Sequence, residues 1–298
     1  MKWVFLYNLE KRKTMFIIEN DFLTVGVNPF GAELWSVVSK KSGKEYIWQG
    51  NPEIWNGRAP VLFPICGRLS GDSYEYGGKR YSLPKHGFAR RNQFEITLYD
   101  SNSATLALRS NNKFKNVYPF DFELYVRFVL EGRTLKTIYT VVNSDSDKMY
   151  FSIGAHPAYN VEIGGSVVFS EKGRIETLLT NSAGLVISDK RKLLAECDDT
   201  LVLDGHNFDD DALIFEAPKS ESVEVKDPDG KTAVKMTYGK VPYLLLWSKP
   251  GAPYVCVEPW HGIPDFDDGD RPFEEKRAIV AVESGKEFEF VTTAEFFD

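Results

Sequence analysis

A chain of 298 residues that is 43% hydrophobic and 27% charged can bury a substantial core and is too apolar for intrinsic disorder. Its 36 Lys and Arg against 43 Asp and Glu leave a formal net charge of −7, which argues against a protein that coats nucleic-acid phosphates. Apolar runs such as Tyr243–Trp247 fall far short of the roughly 20 residues a membrane-spanning helix requires, so a soluble protein is expected, with neither nucleic acid nor membrane as partner.

Taken in chain order, Trp3 to Tyr7 is a short apolar run followed by Glu10, Lys11, Arg12 and Lys13, with no small-residue cleavage site, and is not a signal peptide. Residues 1–14 read as an N-terminal extension, disordered or an upstream start, ahead of one domain spanning 15–298. Met15 opens a strand. Further strands are predicted at 22–27, 34–38, 94–99 and 104–109, followed by the clearest one, where Phe122, Leu124, Val126, Phe128 and Leu130 alternate with Glu123, Tyr125, Arg127, Val129 and Glu131. Others follow at 134–142, 150–155, 223–226, 233–237, 243–247, 254–258, 278–282 and 287–293, rich in Val, Ile, Tyr, Phe or Thr. Turn signals at Ser42-Gly43-Lys44, Gly77-Gly78-Lys79, Pro228-Asp229-Gly230 and Ser284-Gly285-Lys286 suit antiparallel hairpins. The best candidate for even a short helix is Lys190 to Cys197. No linker or composition break divides the chain, and the expected fold is all-β: one large antiparallel β-sandwich with few short helices.

The cysteines, Cys66, Cys197 and Cys256, are odd in number and widely spaced, which argues against a disulfide framework or zinc ribbon and makes the reducing cytoplasm the expected compartment. Of four histidines, His86, His156, His206 and His261, three are followed directly by Gly or Pro, in Lys85-His86-Gly87, Ala155-His156-Pro157 and Trp260-His261-Gly262. His156 precedes Pro157 and is pushed towards extended backbone, so its ring projects at the mouth of the preceding strand, either into a cleft or as a satisfied structural histidine. Glu258 shares a strand face with Tyr254 and Cys256 at a strand end set by Pro259. Burial beside Trp260 raises such a carboxyl towards a general base's working range, and a buried ion pair is the alternative. Arg68 follows Gly67 and either forks onto sugar hydroxyls or pairs with an acid. Of Asp209, Asp210 and Asp211, at most one points inward. Cys66 reads as a small buried hydrophobe. There is no H-E-x-x-H, no C-x-x-C, no phosphate-cradling glycine loop and no G-x-S-x-G elbow, so no metal and no cofactor is expected.

Gly67-Arg68, Lys85-His86-Gly87-Phe88, His156-Pro157-Ala158-Tyr159-Asn160 and Val257-Glu258-Pro259-Trp260, in that order, resemble the aldose 1-epimerase family, and its shorter bacterial branch in particular. The resemblance runs from about Phe16 to the C-terminus. It implies the galactose mutarotase-like supersandwich and interconversion of the α and β anomers of an aldose or aldose phosphate without cofactor or metal, by a monomer or homodimer. It implies His156 as the general acid on the ring oxygen and Glu258 as the base on the anomeric hydroxyl. Arg68, His86, Asp211 and Trp260 would bind the sugar, while Lys85, Arg90 and Arg91 make a basic rim that either accepts a phosphate or is simply solvated. The expected working state has His156 near its reference pKa of about 6.5 and Glu258 ionised, the two facing across roughly a pyranose. Two other readings stay open: a sugar sensor or lectin on the same cleft with Trp247 or Trp260 as stacking platform, and a glycoside hydrolase, for which a second carboxylate opposite Glu258 is missing.

Overall fold

Period two governs the molecule. The computed structural model describes residues 15–298, and the extension expected at 1–14 lies outside the described residues. Phe122–Glu131 alternates buried and exposed side chains along its length and is a strand. It pairs through its whole length with Thr134–Asn143, turning at Gly132-Arg133. Strand accounts for 52% of the structure and helix for 5%, the latter being one α-turn at Asn112–Lys115 and short tight turns such as Ala89–Arg91.

A 14-stranded antiparallel sheet dominates. One end consists of Ile153–Gly154, Tyr254–His261, Tyr243–Trp247, Leu213–Glu216 and Ser166–Thr180; the path then runs through Ser222–Lys226, Thr232–Thr237 and Glu287–Phe296 to Thr134–Asn143, Phe122–Glu131, Ser103–Arg109 and Glu95–Tyr99. Smaller sheets complete the large β-sandwich: a three-stranded one of Phe16–Glu19, Leu23–Asn28 and Glu33–Ser39, and two hairpin-sized pairs. The main apolar cluster lies between the layers and takes Val255 and Val257 from one face of Tyr254–His261. The opposite face of that strand meets two smaller clusters, with Tyr254 and Cys256 in one and Trp260 in the other.

Two expectations are corrected. Lys190–Cys197 is not helical; it lies within the strand Val186–Val202, which pairs with Ser166–Thr180 as a long ribbon. Leu, Ala, Glu and Lys are good helix formers, but pairing overrides that preference, and repeated register shifts in the ribbon erase the alternation that would have marked a strand. Nor does Pro259 end its strand, which continues to His261. Its carbonyl accepts from Ala155 N–H (3.2 Å), so its ring nitrogen lies on the same edge, opposite residues 155–157. There the neighbouring chain is broken between Ile153–Gly154 and Ala158–Asn160, and no ladder donor is needed from Pro259.

Candidate active site

That break places His156. Gly154 pairs with Trp260 and Ala158 with Cys256, one continuous register across the gap, so His156 falls opposite Glu258. Opposed residues of an antiparallel pair project to the same face with Cβ atoms about 5 Å apart. His156 Nε2 accordingly lies 3.1 Å from Glu258 Oε2. On the other edge Glu258 is paired with Leu245, and Leu245 in turn with Ile214. The carboxylate therefore stands in an apolar row with the imidazole as its polar neighbour. Glu258 is 2% exposed and His156 8%.

The remaining predicted residues divide between this floor and the wall above it. His86 joins the floor, its ring edge-on to His156 (centroids 5.8 Å) and to Trp260 (5.5 Å). A reciprocal clip fixes it: Gly67 N–H donates to His86 Nδ1 (3.1 Å), and His86 N–H donates to Gly67 O (2.7 Å). Gly67 is required here, because its φ is +75° and a Cβ would stand 2.3 Å from Pro264 Cγ. Sequence reasoning missed Trp55, which stacks on His156 at 5.3 Å and 25°. Gly57 makes room for the ring, since a Cβ there would strike the Trp55 indole at 2.4 Å, a contact that no local sequence pattern marks.

Beside the floor opens a cavity of about 630 Å³ lined by Arg68, Lys85, Asp209, Asp210, Asp211 and the ribbon turn 181–184. Asp209 is engaged by His206 Nδ1 (3.0 Å) and Asp210 lies 3.7 Å from Lys192, whereas the charge of Asp211 reaches Glu258. Arg68 Nε donates to Asp72 (2.9 Å). The Arg68 loop is itself pinned: Asp265 N–H donates to Arg68 O, and Asp265 Oδ2 accepts from Ser70 N–H and from the buried Lys276 ammonium (2.7 Å). Arg90 turns away to Lys85 O, and neither it nor Arg91 lines the cavity, so the expected basic rim reduces to Arg68 and Lys85. His261 sits elsewhere, edge-on to Phe288 and Phe290.

Electrostatics correct the expected protonation. Burial drives the Glu258 carboxyl well above the usual carboxylate range, with Asp211 adding to the rise and Lys85 opposing it. Burial lowers His156 to about 3, helped by Lys85 and Arg90. His86 is also depressed by burial and by His156. Burial thus disfavours charge on both members of the pair, opposing an imidazolium that faces a carboxylate. Neutral His86, accepting at Nδ1, carries its proton on Nε2 as a fixed donor. Nor is there a pyranose-wide gap between the pair. The ring oxygen and anomeric hydroxyl of an aldose are bonded to the same carbon, so groups that serve them stand adjacent. Burial also raises the Cys66 and Cys256 thiols, with the Glu258 charge adding to the rise.

Known proteins share this fold and much of this sequence. The aldose 1-epimerase family model matches residues 14–292. Protein LacX (plasmid) of Lactococcus lactis subsp. lactis is 32% identical over 281 residues, covering 89% of this chain and 93% of its own. A galactose mutarotase related enzyme from Lactobacillus acidophilus is 34% identical with a TM-score of 0.91, covering 96% of this chain and 98% of that one. A galactose mutarotase-like protein from Lactobacillus casei is 27% identical with a TM-score of 0.88, covering 95% and 100%. With an all-β sandwich of the galactose mutarotase-like kind and a family match over nearly its whole length, the chain belongs to the aldose 1-epimerase family.

Proposed function

We propose that this protein is a mutarotase that interconverts the α and β anomers of an aldose or aldose phosphate, with His156 and Glu258 as its acid-base pair. The observation that carries the reading is the 3.1 Å contact between His156 Nε2 and Glu258 Oε2, buried beside the cavity. The pair shares one mobile proton. When that proton stands on His156, the Glu258 carboxylate takes the anomeric O–H proton while the imidazolium gives its own to the ring oxygen, and the C1–O5 bond breaks. The open-chain aldehyde then stands beside a protonated Glu258 and a neutral His156. This is the state that burial favours, so the low-dielectric floor stabilises the pair as it is during ring opening. Rotation about C1–C2 presents the other face of the carbonyl. Glu258 returns its proton to O1, His156 takes one from O5, and the ring closes as the other anomer. His86 Nε2–H donates to the sugar oxygens, Arg68 and Asp211 orient its hydroxyls from the wall, and Trp260 packs under it.

Arg68 and Lys85 supply the positive charge for a phosphorylated substrate, against three aspartates on the same wall. The reading places the enzyme in the cytoplasm, as a monomer or homodimer. Exchange NMR on equilibrated glucose, galactose and glucose 6-phosphate tests it. A catalytic amount of protein is expected to accelerate α-to-β exchange in at least one sugar, and Glu258→Gln or His156→Ala to remove about 10²–10⁴ of that rate. Binding without acceleration would instead establish a sugar sensor.

A further inference from the structure

We infer that the floor also holds a site for a soft divalent cation, of which Zn²⁺ is the fitting example, ligated by His156, Cys256 and Glu258, and that the ion shuts the enzyme off. His156 Nε2, Cys256 Sγ and a Glu258 carboxylate oxygen lie within 4.8 Å of one another, all three residues buried. Tetrahedral Zn²⁺, at about 2.0–2.3 Å from N, O and S, holds its ligand atoms roughly 3.5 Å apart. The nitrogen–oxygen edge, at 3.1 Å, is already close to that value, and the sulfur stands within 4.8 Å of the other two ligand atoms. Across this 3.1 Å edge Glu258 Oε2 meets His156 Nε2 without an aligned hydrogen bond, so a cation seated between the two would satisfy both.

The register explains why no motif announces the site. Cys256 and Glu258 are two apart on one strand face, and His156 comes from the opposed strand break, so the three share neither helical nor knuckle spacing. One thiolate, one imidazole and one carboxylate suit Zn²⁺ and disfavour Mg²⁺ or Ca²⁺, which demand oxygen shells. On binding, the thiol and carboxyl protons are released to solvent and the imidazole lone pair is committed to the metal. Both proton-transfer groups are then occupied. The inhibitory consequence rests on the mutarotase reading; the cation site does not.

Co²⁺ serves as the spectroscopic probe of the full-length protein. Expected is a thiolate-to-cobalt charge-transfer band that Zn²⁺ displaces, that persists in Cys66→Ser and Cys197→Ser, and that is lost in both Cys256→Ser and His156→Gln. In exchange NMR, Zn²⁺ is expected to suppress anomer exchange by the wild type and to need roughly tenfold or more higher concentration against Cys256→Ser or Cys256→Ala, the least that losing even an outer-shell partner costs. Absence of the band, or a band that disappears with Cys66 or Cys197 instead, overturns the site. So does equal Zn²⁺ sensitivity in the Cys256 variants. If the wild type shows no anomer exchange at all, the mutarotase reading fails while the cobalt band still decides the site.

Discussion

The strand Tyr254–His261 and the ribbon Ser166–Thr180 with Val186–Val202 belong to one sheet, yet the first carries Glu258, half of the proposed acid-base pair, and the second supplies only a wall. Every residue from Tyr254 to Trp260 is buried, and the strand is flanked by Tyr243–Trp247 on one edge and by the broken chain 153–160 on the other. The ribbon is bulged and for the most part exposed or half-buried, and meets the cavity chiefly through its turn, where Ala183 O lies 3.5 Å from Arg68 Nη1. A doubly flanked strand in a single register leaves its polar side chains one place to be, so the acid and base are preorganised. An exposed, bulged ribbon tolerates changes of length and sequence that the floor does not.

Breaking the floor is expected to have the largest effect. Glu258→Gln should abolish about 10²–10⁴ of the anomerisation rate by exchange NMR while the fold persists. Lys276→Met strands Asp265 as an uncompensated buried charge under the Arg68 loop and should cost about 3–5 kcal/mol in denaturant unfolding. Trp55→Ala removes the ring stacked on His156 and should cost about 3 kcal/mol, the low end for truncating a tryptophan, by the same measurement.

The pH dependence of stability sharpens the contrast. His156 is held near 3 and His261 near 4, both by burial, whereas unfolded histidine takes a proton near 6.5. Between about pH 6.5 and 4 the unfolded chain binds protons that the folded chain refuses, so stability falls as pH falls, and His156→Gln should flatten that slope. Glu258 has the opposite sign. Its raised folded pKa contributes stability below the unfolded carboxyl value that is lost as pH rises, so Glu258→Gln should be more stable than wild type at pH 8 in thermal unfolding. The smallest effect belongs to the ribbon shaft: Leu193→Ser, at a side chain 40% exposed, should shift stability by no more than about 0.5 kcal/mol.

Legibility followed the same division. Strands with one wet face or a compact apolar run, such as Phe122–Glu131 and Tyr243–Trp247, were readable because alternation or composition follows directly from burial. The ribbon was not readable, since bulges scramble the alternation and helix-forming residues cover it. His86, His156, Glu258 and Trp260 were nameable from local context and family resemblance, and they cluster. Trp55 was not, because nothing in a loop's own residues says which distant ring it will cover.

The amino-acid order alone determined the all-β class, the family and the residue types at the floor, because those depend on local periodicity and short motifs. Tertiary structure alone decided that His156 stands directly opposite Glu258, through a register carried across a strand break. It also decided that their charges are suppressed, which depends on Leu245 and Ile214 filling the rest of the row. Distance and dielectric belong to the packed fold, and a linear sequence does not contain them.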